Sequence, residues 1–319
     1  METDKKTKEV SCSADNKSMG NTNFKCHFCA ECTGFGCISE LPGMGGIREN
    51  INFQLNCAAW DGIQPGTFTQ KEKDRAVLPL VRLAPITGGV ENVGYFSEEQ
   101  FYYDLIGAVH RAGYALSLGD GCPDIKLQTG IKAVQREQEI NPDLRSAVFI
   151  KPYANEKIYE RIDWSRPVAN IIGVDIDSYN IVTMRNLVKL EKKTPAQLKE
   201  VQKYAGHPFA VKGVFTKEDV EMVKELKPDI IVVSNHGGRV ENRTGSTAEF
   251  LAEYGKELKN YCDKLWVDGG IRKYRDLQIA GLLGADEVMI GRPFITALCK
   301  GASAAEQEKM FAENFVLSS

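Results

Sequence analysis

Long apolar runs are missing from this 319-residue sequence, since none approaches the roughly 20 residues that a membrane-spanning helix needs. The start, METDKKTKEV, also lacks the apolar stretch of a secretory signal. Excess charge of one sign is absent too: 40 Lys and Arg stand against 43 Asp and Glu, which gives no reason to expect nucleic acid or an anionic membrane as a partner. A hydrophobic share of 43% excludes a disordered chain, a collagen-like repeat and a small disulfide-bonded scaffold. We expect a soluble, cytoplasmic protein.

Four of the nine cysteines lie within twelve residues, as Cys26, Cys29, Cys32 and Cys37. Because the cytosol keeps thiols reduced, such a cluster points to metal or redox chemistry before disulfides. The spacing C-x2-C-x2-C-x4-C offers four thiolates to one tetrahedral ion or one [4Fe–4S] cluster. Three cysteines at two-residue gaps favour iron–sulfur. Zinc, with His27 able to replace a cysteine, is one alternative, and reactive thiols are another.

The chain divides into three parts that differ in composition and in hydrophobic pattern. Residues 1–23 are polar and predict a mobile tail. Residues 24–70 hold the cysteine cluster and the Gly-rich segment LPGMGG, and predict a metal- or cluster-binding extension. Residues 71–319 predict the main domain, in which short apolar runs alternate with polar, helix-like segments.

Near-continuous Val/Ile runs followed by amphipathic helices are typical of parallel strands covered by helices. Eight runs within about 220 residues fit a closed α/β architecture, the (β/α)8 TIM barrel, whose usual size is about 250 residues. A doubly wound open sheet is the competing architecture. The barrel is favoured because polar residues follow almost every run, and only a barrel gathers all eight strand ends around one pocket. The runs span 76–87, 114–119, 146–153, 169–177, 207–214, 229–236, 264–270 and 287–293.

The ends of the last two runs carry glycines and arginines that suit a phosphate. Bare backbone N–H groups let an anion approach closely, and a following helix N-terminus favours negative charge. Arg272 and Arg292 add charge-assisted hydrogen bonds. Taken singly, each residue also has a plain structural interpretation: the glycines as turn residues, Lys212 as a solvated lysine and His236 as a histidine satisfied by backbone. The order VKGV, SNHGGR, VDGGIR and IGRP favours the functional interpretation.

These segments resemble the FMN-dependent α-hydroxy acid oxidase and dehydrogenase family, which includes glycolate and lactate oxidases. The resemblance covers about 76–298 and is strongest over 207–298, with SNHGGR as its most specific segment. It implies a TIM barrel that holds FMN, a substrate α-carbon that delivers its electrons to flavin N5, and a closed ring of subunits. The phosphate contacts implied are Asp268, Gly269, Gly270, Ile271, Arg272, Gly291 and Arg292; the isoalloxazine contacts implied are Pro85, Ile86, Thr87, Ser117, Lys212 and Ser234.

The roles of the polar strand-end residues follow from ordinary chemistry. A fixed Lys212 ammonium stabilises the negative charge that builds on a reduced flavin. His236 has a suitable pKa to take a proton from a substrate near neutral pH, and Arg239 can bind a carboxylate through its fork of donors. We expect Asp175, at the end of the fourth strand, to orient His236. With these roles, the resemblance implies oxidation of the CH–OH group of a small 2-hydroxy acid, with electrons passing to flavin and then to a cluster or O2.

Departures from the family pattern affect the expected substrate more than the expected cofactor. Strand 4 reads Gly173-Val174-Asp175 where the family usually has Thr-Val-Asp. In place of a Gln-Leu-Tyr at strand 3 stands a segment with Lys151, which puts a second cation near the flavin. Two alternatives therefore remain: an FMN enzyme similar to type 2 isopentenyl diphosphate isomerase, and a non-catalytic flavin or metal sensor.

Overall fold

Eight parallel strands form the centre of the computed structural model, which describes residues 51–299 apart from 94, 96, 182–187 and 241. The predicted tail and the four clustered cysteines lie outside the described residues. Each strand falls inside one of the eight predicted apolar runs. The strands are β1 (Leu80–Leu83), β2 (Leu116–Gly119), β3 (Ser146–Ile150), β4 (Ala169–Asp175), β5 (Phe209–Val214), β6 (Ile230–Val233), β7 (Lys264–Asp268) and β8 (Glu287–Ile290).

The strands close into a barrel. Their order is β1-β8-β7-β6-β5-β4-β3-β2, so the ring lacks only a β1–β2 contact. A parallel bridge between Arg82 and Ala115 supplies it, and the Leu83 N–H donates to the Ala115 carbonyl at 2.8 Å. The predicted TIM barrel is therefore confirmed, and the open sheet is excluded.

Ten helices are described, and most alternate with the strands. They are α1 (Ile51–Gly62), α2 (Gln70–Arg75), α3 (Glu98–Arg111), α4 (Ile125–Gln138), α5 (Asn155–Ser165), α6 (Pro195–Ala205), α7 (Lys217–Leu226), α8 (Thr247–Leu258), α9 (Tyr274–Leu282) and α10 (Arg292–Cys299). The capping chemistry is visible in α6, where Thr194 and Gln197 form a capping box and Gly206 ends the helix at φ +65°. No helix in the described part of the chain is both long and apolar enough to cross a membrane.

Side chains alternate between the inside and the outside of the barrel. The interior core contains Phe149, Trp266 and Met289, all buried. Gly173 is required at its place on β4, because a Cβ there would lie 2.6 Å from the Phe149 ring. Arg82 pairs with Glu287 at 2.7 Å inside the barrel, so this buried guanidinium has a carboxylate partner.

Helix α1 is the main element that the sequence pattern did not indicate. It lies in the predicted extension 24–70, and it packs on the loops that follow β6 and β7. Its buried residues are Asn52, Phe53, Asn56 and Trp60. Because two of these four are polar, the helix has no continuous apolar stripe from which it could have been predicted.

Candidate active site

A buried charge network occupies the carboxyl-terminal mouth of the barrel. Asp175 and Lys212 are register partners at the ends of β4 and β5, and the Lys212 ammonium lies 3.1 Å from Asp175 Oδ1. Lys212 also donates to Ser234 Oγ at 3.1 Å and lies 3.4 Å from Asp268 Oδ2. On the other side, Lys151 Nζ donates to Asp175 Oδ2 at 2.9 Å. The barrel therefore brings together five residues predicted from five different strand ends.

The network fixes the charges of its members. Burial alone would raise the pKa of Asp175, but the Lys151 and Lys212 ammoniums outweigh it and hold that pKa well below its usual range. Burial would likewise lower the pKa of Lys212, yet the carboxylates of Asp175 and Asp268 outweigh it and raise this pKa. Lys212 is thus a permanent, buried cation at the centre of the mouth.

His236 lies in the turn after β6, and its carboxylate partner differs from the one expected. Its Nδ1 lies 3.1 Å from Asp177 Oδ1, whereas both oxygens of Asp175 are held by lysines. Asp177 follows Asp175 by two residues, so the expectation chose the wrong acid of an Asp-x-Asp pair. Burial lowers the pKa of His236, and the Asp177 carboxylate opposes that shift only in part. The imidazole is therefore neutral near pH 7.

Asp175, Asp177 and His236 bring one potential ligand atom each within 4.8 Å of one another. A divalent cation at this point would face the Lys151 and Lys212 ammoniums, which already bind both oxygens of Asp175. We therefore interpret the group as a network of ion pairs and hydrogen bonds, and not as a metal site.

Three arginines concentrate positive charge beside this network. Burial lowers the pKa of Arg292 to about 9, with Arg239 and Arg272 as further like-charged causes. Burial also lowers the pKa of Arg239 to about 10. Arg292 is fixed by a 2.9 Å hydrogen bond to the Gly237 carbonyl and by the Phe53 ring, whose centroid lies 4.4 Å from its guanidinium carbon. Such a cluster favours an anion.

The ends of β1 and β2 meet at the same mouth. Thr87 and the Pro85 carbonyl lie against Gly119, where a Cβ would be 2.7 Å and 2.6 Å from them. Ser117 is 2% exposed, and its Oγ has no hydrogen-bond partner among the residues that the structure describes. The predicted contact residues of the first two strands are thus placed together.

The ring also brings β8 beside β1. A Cβ built on Gly291 would lie 3.8 Å from Ile86, in ordinary contact. The phosphate and isoalloxazine residues expected from opposite ends of the sequence are therefore neighbours in space.

The glycines after β7 have a second role beyond the expected phosphate contact. Gly270 has φ +78°, and a Cβ there would lie 1.7 Å from the Asn56 carbonyl oxygen of α1. Gly269 has φ +97°, and a Cβ would lie 2.6 Å from Thr247 Oγ1. Ile271, which follows, is 2% exposed. Gly270 thus lets the backbone of α1 approach the loop closely, and Gly269 leaves room for the Thr247 side chain at the start of α8.

The functional residues that sequence reasoning missed are Asp177 and the buried face of α1. Trp60 Nε1 donates to the Gly269 carbonyl at 2.9 Å, and Asn56 Nδ2 donates to Asn235 Oδ1 at 2.8 Å. The period of four in Asn52, Asn56 and Trp60 is the signal that could have indicated a helix with one anchored face.

The sequence model of the FMN-dependent dehydrogenase family matches residues 132–309, more than half of the chain. The chain belongs to this family. Curated relatives agree: 39% identity over 115 residues to the L-lactate dehydrogenase (cytochrome) of Saccharomyces cerevisiae, covering 34% of this chain and 20% of the relative. A second is the L-lactate oxidase of Lactobacillus jensenii, 36% identical over 113 residues, covering 35% and 28%. The chain thus matches less than a third of the length of either relative.

Solved structures show the same fold. The flavin-binding domain of baker's yeast flavocytochrome b2 superposes with a TM-score of 0.61 at 20% identity, covering 83% of this chain and 74% of that one. A lactate oxidase of Pediococcus acidilactici gives a TM-score of 0.61 at 18% identity, covering 83% and 80%. These similarities show that the barrel fold extends over most of the chain.

The residues at the mouth fit the cofactor of the FMN-dependent dehydrogenases. The arginine cluster, with Arg272 and Arg292, provides cations for a phosphate. Ser117 Oγ and Asp268 Oδ1 are buried polar atoms without a hydrogen-bond partner in the described part of the chain, and the polar edge of an isoalloxazine can satisfy such atoms. Lys212 supplies the fixed cation. The chemistry of the donor set therefore suits FMN.

Proposed function

We propose that this protein is an FMN-dependent oxidoreductase that converts a small 2-hydroxy acid to the 2-oxo acid. The observation that carries the proposal is the placement of a neutral, Asp177-bound His236 beside Arg239 and the buried Lys212. A base, an anion-binding group and a fixed cation are what such an oxidation requires of the protein. The two relatives named above act on L-lactate according to their names.

His236 handles the substrate proton in this proposal. With Nδ1–H donating to Asp177, Nε2 carries the lone pair that accepts the proton of the substrate hydroxyl. Asp177 then stabilises the imidazolium that forms, as a carboxylate does beside a catalytic histidine. When bound, FMN supplies the acceptor for the α-hydrogen and its two electrons, so that the CH–OH group becomes a carbonyl.

Arg239 and Lys212 are the two cations that stabilise negative charge in the same proposal. Arg239 is the second residue after the Gly237 turn, and its guanidinium makes no ion pair within 4 Å in the described part of the chain. We assign it the substrate carboxylate, because a guanidinium fork binds a carboxylate through two parallel hydrogen bonds. Lys212 stays protonated throughout and stabilises the charge that builds during the transfer.

The experiment is to purify the full chain, record its visible spectrum and add L-lactate, glycolate or mandelate without oxygen. We expect a flavin band that one of these acids bleaches. His236→Ala should keep the band but lose the bleaching by at least about 100-fold, and His207→Ala should behave as the wild type. Absence of flavin contradicts the cofactor assignment. A flavin that no 2-hydroxy acid reduces, in a protein that isomerises isopentenyl diphosphate, contradicts the reaction.

We also propose that Cys26, Cys29, Cys32 and Cys37, outside the described residues, bind one metal centre. The spacing supports a [4Fe–4S] cluster, which accepts single electrons and would pass them to a redox carrier in the cytoplasm. Anaerobic purification with iron, sulfide and EPR analysis should find about four irons per chain. Stoichiometric zinc without iron contradicts the cluster and leaves O2 as the acceptor, and neither metal contradicts the site. A Cys262→Ser variant is the control, since its metal content should not change.

A further inference from the structure

The buried face of α1 is anchored to the loops of the mouth by its polar side chains. Asn52, Asn56 and Trp60 are spaced four residues apart and are 3%, 1% and 1% exposed. Asn52 Nδ2 donates to the Val240 carbonyl at 2.7 Å, and its Oδ1 accepts from the Gly245 N–H at 2.8 Å. Buried amides carry a cost unless they are hydrogen-bonded, so this face is fitted to its partners and not to a generic apolar surface.

Asn56 makes the contacts closest to the proposed base. Its Nδ2 donates to Asn235 Oδ1 at 2.8 Å, and its Oδ1 accepts from Asn235 Nδ2 at 3.1 Å and from the Thr247 N–H at 3.0 Å. Asn235 immediately precedes His236, and its Oδ1 also accepts from the Gly238 N–H at 2.9 Å. Asn56 therefore holds, by two hydrogen bonds, the Asn235 side chain, which in turn accepts a hydrogen bond from within the His236 turn.

The His236 turn has a conformation that requires such support. His236 has φ +56°, and Gly237 and Gly238 follow at +66° and +94°. A left-handed conformation is unfavourable for a residue with a side chain, so it persists only where the surroundings hold it. Beside it, a Cβ on Gly238 would lie 2.6 Å from the Phe53 nitrogen, so α1 lies directly against the turn.

We propose that Asn56 is a positioning residue of the active site, which holds Asn235 and thereby the left-handed turn that presents His236 to Asp177. The proposal rests on the role of His236 as the base in the proposed function. It assigns to α1, which precedes the barrel and the segment matched by the family, a part in shaping the catalytic turn.

The test follows His236 by NMR in the full-length, FMN-loaded protein labelled with ¹⁵N-histidine. The chain has only four histidines, and His236→Ala identifies the signal. The charged groups that face His236 are Asp177, Asp175, Lys151 and Asp268, and Asn56→Ala alters none of them. We expect the Asn56→Ala substitution to broaden the His236 signal and to move its titration midpoint upward towards the ordinary value of about 6.5, because the loosened turn admits water.

Two further variants separate positioning from general stability. Asn56→Asp keeps the acceptor for the Thr247 N–H and loses the donor to Asn235, so it carries the test if Asn56→Ala does not fold, with a smaller shift expected. Gln138→Ala is the matched control: its amide donates to the Leu144 and Pro167 carbonyls at 2.9 Å and 3.3 Å, away from the mouth. It should lower the melting temperature similarly and leave His236 unchanged.

The outcome that overturns the proposal is a lowered melting temperature in both Asn56 variants with the His236 signal and midpoint of the wild type. A second readout is the rate at which L-lactate bleaches the flavin, which should fall at least about tenfold in Asn56→Ala. The NMR readout needs no substrate. If His236 shifts while no 2-hydroxy acid reduces the flavin, the proposed reaction fails and the positioning role of Asn56 stands.

Discussion

Asp177 Oδ1 and His236 Nδ1 lie 3.1 Å apart across 59 residues of chain. The contact joins the segment after β4 to the turn after β6, and it fixes which nitrogen of the imidazole carries the proton. Asp175, only two residues earlier, has both oxygens committed to Lys151 and Lys212. Asp177 is therefore the partner of His236, and Asp175 is the partner of the two lysines.

The Asp177→Asn variant should remove the carboxylate beside His236 and leave the contacts of Asp175 with the two lysines in place. The amide cannot stabilise an imidazolium, so we expect the rate of flavin reduction to fall about 10²- to 10⁴-fold while FMN stays bound. The Asp177 carboxylate raises the pKa of His236 against the effect of burial. Its removal should therefore move the acidic limb of the pH–rate profile to lower pH. An unchanged limb would argue that another group is the base, and Asp163→Asn, on the surface, should change neither quantity.

Lys151→Met should destabilise the protein in a pH-dependent way. The pKa of Asp175 is lowered by both lysines against its burial, so the ionised pair stabilises the folded state above the ordinary carboxylate pKa of about 3.9. Removing one buried partner should cost about 1–3 kcal/mol of unfolding free energy at neutral pH, and the loss should shrink as the pH falls below about 4. Urea unfolding at several pH values measures it. Lys192→Met, at an exposed pair with Glu218, should cost under about 1 kcal/mol at every pH.

Arg292→Met should weaken the binding of FMN and not that of riboflavin. The like-charged arginines around Arg292 favour an anion, and riboflavin lacks the phosphate that would use them. We expect the Kd for FMN to rise about 10- to 100-fold, in the range of one lost charge-assisted hydrogen bond. Flavin fluorescence measures both ligands. Arg145→Met, at an exposed arginine, is the control, and equal losses for both flavins would place the phosphate elsewhere.

Relative to the wild type, the Asp120→Asn variant should be more stable at neutral pH than it is in acid. Asp120 is fully buried after β2, and burial raises its pKa to about 6, which Arg161 and Lys151 only partly oppose. Since the folded pKa exceeds the unfolded one, the contribution of this carboxyl is greatest below about pH 4 and is lost as the pH rises towards 6.

An asparagine keeps the oxygen that accepts from the Lys151 N–H at 3.3 Å and removes the charge. The stability of Asp120→Asn relative to wild type should therefore be about 1–3 kcal/mol more favourable at about pH 7.5 than at about pH 4. The same difference at both pH values would contradict the raised pKa.

The barrel could be predicted from the sequence because its strands carry continuous apolar runs that need no tertiary information. Lys212, His236 and Arg292 could be placed at the mouth because each lies at or near the carboxyl end of such a run, and a closed ring makes all strand ends neighbours. Asp177 could not be distinguished from Asp175, because the chain leaves the regular strand between them and the direction of a side chain is then set by contacts. Helix α1 could not be predicted, because its buried face carries Asn52 and Asn56, whose partners come from loops far along the chain.

The separation between α1 and its partners has a consequence for biosynthesis. Asn52 and Asn56 bond to residues that follow them by 179 to 193 positions, which a ribosome adds in roughly 10–40 s at 5–20 residues per second. During that interval the bonding partners of the two amides, including the His236 turn, have not yet been made. The contacts between α1 and the His236 turn therefore form only after most strands have emerged.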